Sequence, residues 1–290
     1  MERPARGREE EDPAVATPPG APVPDTTARP FAVVTGASTG IGRELAAQFT
    51  AGGYDVLVAA EDDRIHDVPA ALSAVSPDAR AEAVQVDLAV PGGVERLWAA
   101  ATAGGRVVDA VALHAGVGVG GEFTTTPLAD EERMIALNVV SVVHLAKLAA
   151  TDMAARGEGR LLFTSSLAAR VPAPYQAVYG ATKAFVQSLA QSLRQELEQR
   201  GVVVTAFLPG PTDTEFFDRA GMQDTAMAQT SAKDDPATVA EQAFAAFRKG
   251  RDHVVTGSLG TKVQGAVANV LPNAPLAKGQ GKLAAPGSGE

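Results

Sequence analysis

Thr35-Gly36-Ala37-Ser38-Thr39-Gly40-Ile41-Gly42 follows the apolar run Phe31–Thr35 directly and opens a stretch with helical periodicity. Ile41, Leu45, Ala46 and Phe49 share one face of that helix, and Gly52-Gly53 ends it. In a strand–turn–helix of this kind Gly36 permits the tight turn, Gly40 lets backbone N–H groups approach an anion, and Gly42 lets helix and strand pack closely. The unpaired N–H groups and the positive dipole end of the helix favour a bound pyrophosphate. A glycine-rich turn alone is weak evidence; the strand before it and the helix after it supply the context the motif requires.

Outward from this unit the pattern repeats. Short apolar runs, most of them containing valine, at 54–60, 81–87, 107–114, 160–165 and 202–208 read as buried parallel strands, and 253–257 adds a last one. Helical patterns lie between them: Val94, Leu97 and Trp98 on one face, then the long stretches Leu128–Ala155 and Ala177–Gln199. This alternation predicts an α/β fold, a doubly wound, Rossmann-like parallel sheet of about seven strands in one domain, with helices on both faces. Ligands of such sheets bind outside the carboxyl ends of the strands. Residues 1–30 hold seven of the 19 prolines and few bulky apolar side chains, so they read as a disordered tail. Residues 31–275 read as the dinucleotide-binding and catalytic domain, and 276–290 as a flexible C-terminal tail.

Composition excludes several classes of chemistry. The 290 residues contain no cysteine, which removes disulfides, thiolate metal sites and cysteine nucleophiles. His66, His114, His144 and His253 lie too far apart in sequence to suggest a metal site, and none is expected. A net charge of −9 argues against nucleic acid or anionic membrane as the main partner. There is no run of eighteen apolar residues and no apolar signal-peptide core, so the chain reads as cytoplasmic, with no membrane span.

Tyr179 and Lys183 form a Tyr-x-x-x-Lys pair within the stretch Ala177–Gln199. Four residues apart on a helix, they share a face, so the ammonium can approach the phenol. A neighbouring cation favours phenolate and is expected to lower the tyrosine from about 10 toward working pH, as a general acid or base requires. Together with Thr-Gly-x-x-x-Gly-x-Gly, this resembles the short-chain dehydrogenase/reductase family, over about Phe31 to His253. The resemblance implies an NAD(P)-dependent oxidoreductase that moves a hydride between nicotinamide and a secondary alcohol or ketone. Tyr179 is then the acid/base, Lys183 its helper, and Ser166, thirteen residues before the tyrosine, the holder of the substrate oxygen. Strand alternation points Ser165 and Ser166 in opposite directions, and the reading prefers Ser166. Asn138 resembles the fourth catalytic member, which helps position the lysine and a proton-relay water.

By the same resemblance the cofactor side comprises the turn residues Gly36, Ser38, Thr39, Gly40, Ile41 and Gly42, with Asp87 and Leu88 near adenine. It continues through Ala115 and Gly116 to Pro209, Gly210, Thr212 and Thr214 near the nicotinamide, with Tyr179 and Lys183. His114 stands where the family generally has Asn; a neutral imidazole offers one donor and one acceptor, so it reads as a structural substitute. Glu61, nineteen residues beyond Gly42, can bond ribose hydroxyls and favours NAD over NADP. Arg43 and Arg64 stand against that preference.

The segment Glu215–Asp235 occupies the place of the family's mobile substrate loop, with Arg170–Gln176 as a second wall of the substrate pocket. Surplus apolar residues on the two long helices, Val139, Val142, Val143 and Leu145, then Phe185, Val186, Leu189 and Leu193, suggest a homodimer or homotetramer. A non-catalytic dinucleotide-binding sensor or scaffold is the alternative, since fold does not fix function. The retained Tyr179–Lys183 pair argues against it. An epimerase or dehydratase would bring a different glycine spacing and a larger C-terminal domain.

Overall fold

The computed structural model describes residues 29–268 and 271–289. The expected N-terminal tail therefore lies outside the described residues, apart from Arg29 and Pro30. Among the described residues seven strands form one parallel sheet: β1 (Phe31–Thr35), β2 (Asp55–Ala60), β3 (Ala81–Gln85), β4 (Ala110–Leu113), β5 (Gly159–Thr164), β6 (Val202–Pro209) and β7 (His253–Thr256). Their order is β3-β2-β1-β4-β5-β6-β7, so the winding reverses between β1 and β4 and opens a crevice at their carboxyl ends. The strands β3 and β4 are shorter than the apolar runs that announced them.

The helices, in chain order, are α1 (Gly40–Ala51), α2 (Val68–Val75), α3 (Gly93–Ala101), α4 (Leu128–Ile135), α5 (Val142–Arg156) and α6 (Ala177–Leu197). Then come the short α7 (Phe216–Arg219) and α8 (Ala226–Gln229), followed by α9 (Pro236–Arg248), α10 (Leu259–Val267) and α11 (Asn273–Ala284). Strand alternation divides the core in two. Phe31 and Val33 of β1 pack with α3, α5 and α6, whereas Ala32 and Val34 pack with α1, α2 and α9. Phe49 anchors the second layer, edge-on to Tyr54, Phe244 and Phe247 at centroid distances of 5.2, 4.9 and 5.0 Å. Burying one such ring contributes about 1.5–3 kcal/mol.

The sequence reading assigns no helix to 236–248, although the start signals are present. Asp235 caps α9 by accepting the Thr238 N–H at 2.8 Å, and Pro236 supplies a fixed φ at the first helical position. The reading of 276–290 as a fraying tail also fails over most of its length. There α11 forms and buries Ala284 against Phe217, Ala220 and Met222, a tertiary partner that its Gly-, Ala- and Lys-rich composition does not announce.

One continuous helical run, Leu128–Arg156, is long and apolar enough by composition to cross a bilayer. In this fold Leu145, Ala149 and Met153 are buried in the sheet's own core, which accounts for that apolarity. Between α4 and α5 the run widens into a π-turn, Ala136–Ser141, the kind of local irregularity found at functional sites. This turn carries Asn138.

Candidate active site

The glycine turn is packed too tightly for side chains. A Cβ on Gly42 would stand 2.0 Å from the Gly36 carbonyl oxygen and 2.6 Å from the His114 ring. Gly36 has φ +67° and touches the Ala115 backbone. Thr39, the residue before α1, makes no side-chain cap, so the first-turn N–H groups of that helix have no capping acceptor. Gly40 and Ile41 face a cleft of about 520 Å³ that runs along the carboxyl ends of the strands. These features fit the phosphates of a dinucleotide.

Further along the cleft, α6 presents Tyr179 and Lys183, both buried. The lysine Nζ donates to the Thr164 carbonyl at 3.2 Å and lies 5.8 Å from the centroid of the tyrosine ring. Burial lowers the Lys183 ammonium to about 8. It also pushes the Tyr179 phenol up to about 12, with the hydrogen bond to Ser166 pulling the other way. The expected lowering of Tyr179 by its lysine is thus not what this arrangement produces. Desolvation outweighs the opposing Ser166 hydrogen bond, and the proton stays on the phenol.

The two serines divide as alternation predicts. Ser165 turns inward and donates to the Lys183 carbonyl at 3.0 Å, pinning α6 to the end of β5. Ser166 turns toward the cleft; its oxygen accepts the Ala168 N–H at 3.2 Å, and its hydroxyl faces the Tyr179 phenol, to which it hydrogen-bonds. Asn138 is fully engaged. Its Oδ1 accepts the Val117 N–H at 3.0 Å, and its Nδ2 donates to the Val117 carbonyl at 2.9 Å and the Thr182 hydroxyl at 3.1 Å. Its side chain therefore ties the loop after β4 to α6. A Cβ on Gly116 would meet Asn138 Oδ1 at 3.0 Å and Lys183 Nζ at 3.3 Å, so these groups converge on one point.

His114 takes a supporting place. Its Nδ1 lies 3.0 Å from the Thr164 hydroxyl, and the ring stacks on Phe207 and backs the glycine turn. Burial, with the Lys183 charge second, lowers it to about 3, so the ring is neutral at physiological pH. Thr35, which the sequence reading placed in the motif without a role, accepts the N–H groups of both His114 and Ala115 at 3.0 Å. A threonine closing a valine run carries no signal of such a role.

The far end of the cleft departs from expectation in its pairing. Glu61 and Asp87 do line it, with Leu88, but one guanidinium spans both acids: Arg133 reaches Glu61 at 2.5 Å and Asp87 at 3.0 Å. Asp62, not singled out from sequence, accepts the Ser38 hydroxyl at 2.7 Å and pairs with Arg64 at 3.0 Å. Arg64 in turn meets Glu215 at 2.8 Å. Arg133 stands 46 residues from Asp87 in the chain, and no local pattern links them. Pro209, Gly210, Thr212 and Thr214 line the cleft after β6, and the Thr214 methyl packs over Gly40.

A sequence model described as short chain dehydrogenase matches residues 30–225. A very-long-chain 3-oxoacyl-CoA reductase of Mycosarcoma maydis is 34% identical over 172 residues, 58% of this chain and 49% of that protein. The chain thus spans about half the length of that relative. An uncharacterised oxidoreductase of Staphylococcus epidermidis is 30% identical over 184 residues, 63% of this chain and 78% of the other. Among solved structures, a short-chain dehydrogenase from Sphingobium yanoikuyae in complex with NADPH aligns with a TM-score of 0.73 at 27% identity. That alignment covers 84% of this chain and 97% of the other. The family match extends from β1 past Thr214, more than half of the chain, and the protein therefore belongs to the short chain dehydrogenase family.

Proposed function

We propose that the protein is an NAD(P)-dependent oxidoreductase acting between a secondary alcohol and a ketone, with Tyr179 as acid/base. The observation that carries this reading is the convergence of the Ser166 hydroxyl, the Tyr179 phenol and the Lys183 ammonium on the cleft that begins at the glycine turn. The dinucleotide, when bound, supplies or takes up the hydride, so its oxidation state balances that of the substrate carbon. In the reducing direction Tyr179 gives its hydroxyl proton to the carbonyl oxygen; in the oxidising direction it takes one from the alcohol. Ser166 donates a hydrogen bond to the same oxygen and holds it against the phenol. Lys183 favours the phenolate left after transfer, and Asn138 keeps the loop at Val117 and Gly116 in register with the lysine.

The turn residues Gly36 to Gly42 hold the phosphates, Asp87 and Leu88 flank the adenine, and Thr212 and Thr214 with the backbone of Pro209 and Gly210 flank the nicotinamide. NAD is favoured over NADP. Arg64 and Arg133 are already neutralised by carboxylates, and Glu61 and Asp62 repel a 2′-phosphate. Arg43, exposed just after Gly42, is the counter-argument. The functional unit is a homodimer or homotetramer built on α5 and α6. Part of the apolar surplus noted in the sequence belongs to the monomer core, since Val142, Leu145 and Val186 are buried; Val143 and Phe185 remain exposed, and so does Val140, which the sequence reading did not name.

Tyr179→Phe tests the mechanism. Turnover of the best alcohol or ketone should fall by about 10² or more while dinucleotide affinity stays within a few-fold. Retained turnover in that variant would remove the tyrosine from the reaction and favour the alternative of a binding protein without catalysis.

A further inference from the structure

Beyond Tyr179 the cleft ends against elements that the sequence reading left as loop and tail. The segment after Thr214, with α7 and α8, forms one side; α10 and α11 form the other. Three contacts hold the C-terminal segment there. Asp224 accepts the Gly287 N–H at 2.6 Å, the Gly289 N–H reaches the Asp224 carbonyl at 2.9 Å, and Ser288 accepts the Ala226 N–H at 3.0 Å. Ala284 is sealed against Phe217 and Met222. The helix α11 is therefore a fixed wall, and it belongs to the same cleft as the tyrosine.

We propose that this wall selects a neutral, largely apolar ketone or secondary alcohol; the inference rests on the oxidoreductase reading above. Val171, Phe217, Met227, Val267, Leu276 and Leu283 turn apolar surface into this end of the cleft. Phe216 packs on the tyrosine ring at 5.2 Å and carries the apolar surface up to the reacting position. Among the described residues, the charged side chains that line this end of the cleft beyond Lys183 are Glu215 and Arg219; Lys278 and Lys282 of α11 lie outside its lining. Glu215 and Arg219 satisfy each other at 2.8 Å, and Arg64 adds a second cation to the glutamate. Lys183 donates to the Thr164 carbonyl and stands 5.8 Å from the centre of the Tyr179 ring, at the reacting end of the cleft rather than along the apolar wall.

A substrate carboxylate or phosphate placed here would lose its water and find no free cation, a cost that no contact in this end of the cleft offsets. The Gln264 and Gln280 amides are the lining groups best placed for a polar substituent, and they suit a neutral one. Two other polar lining groups are already engaged. Thr261 donates to Asp234 at 2.6 Å, and Gln176 contacts the Met222 sulfur at 2.8 Å.

The test compares kcat/KM for straight-chain 2-ketones of increasing length with the same ketones bearing a terminal carboxylate, using the full chain and both nicotinamide cofactors. For the neutral series kcat/KM should rise by about fourfold per added methylene until the wall is reached. Each carboxylate should be at least about tenfold poorer than its neutral partner, as expected for an unpaired buried charge. Leu276→Lys, with Gln280→Lys as the milder variant should the first misfold, should raise kcat/KM for the carboxylates by about tenfold or more, leaving dinucleotide affinity unchanged. Thermal-shift titration with the same pairs reads the pocket without turnover, neutral ketones giving the larger shift. Equal handling of neutral and charged partners, or a folded lysine variant with an unaltered ratio, would overturn the proposal. Absence of turnover for every ketone and alcohol, with the neutral preference intact in the thermal shifts, would instead count against the oxidoreductase reading.

Discussion

Lowering the pH from 8 to 5 sets the burial of His114 against its wish to take up a proton. The folded ring titrates at about 3, because it is buried and stands near the Lys183 ammonium, whereas an exposed histidine titrates near 6.5. Between these two values the unfolded chain binds a proton that the folded chain refuses. Stability from this group is thus complete above pH 6.5 and falls as the pH drops through the window, by about 1.4 kcal/mol per pH unit for one proton. At pH 5 the loss comes to about 2 kcal/mol. That figure is a ceiling, since one edge of the ring opens onto the cleft and water screens it. Asparagine at 114 keeps a donor and an acceptor for Thr164 but cannot titrate. Urea unfolding, followed by far-ultraviolet circular dichroism at pH 8 and pH 5, should therefore show a smaller acid-induced loss in His114→Asn, by up to about 2 kcal/mol. Every other titrating group is common to both proteins and cancels in this comparison. An identical loss in the two proteins would refute the reasoning.

Gly42→Ala would drive a methyl to 2.0 Å from the Gly36 carbonyl oxygen, so α1 or the turn must shift. The expected cost is about 1–3 kcal/mol of stability with at least tenfold weaker dinucleotide binding, read by thermal melting and calorimetric titration; unchanged binding would show that the turn does not hold the phosphates. In the same titration the unmodified protein should bind NAD more tightly than NADP, with Glu61→Gln narrowing the gap. Tighter NADP binding would mean that Arg43, or a guanidinium released from its carboxylates, governs that end. Light scattering at micromolar concentration should give at least twice the 29.7 kDa chain mass, and Phe185→Glu should reduce it. A wild-type mass near that of one chain would refute the interface.

What the sequence determined by itself was the part written in local patterns. The inner strands announced themselves as short apolar runs because both faces of a parallel sheet are buried there, and the glycine turn was readable because strand, glycines and helix are contiguous. The Tyr179–Lys183 pair was visible because a helix places residues four apart on one face, and Ser165 was separable from Ser166 because strand side chains alternate. The resemblance to a known family then supplied roles that spacing alone could not.

Tertiary structure decided whatever depends on residues distant in the chain. The balance that keeps the Tyr179 proton in place is a matter of burial, which no i, i+4 spacing reports. Glu61 was legible as an acid after β2, but its guanidinium partner comes from α4, 72 residues later. The substrate wall was the least legible part of all. The segment α11 is rich in Gly, Ala and Lys and has little apolar surface of its own, so composition marks it as tail. It becomes a wall because Phe217 and Met222, about sixty residues earlier, give it an apolar seat, while Asp224 accepts the backbone N–H groups of Gly287 and Gly289 just beyond its end. A short helix gains most of its stability from such packing rather than from propensity, and that contribution exists only once the chain has folded.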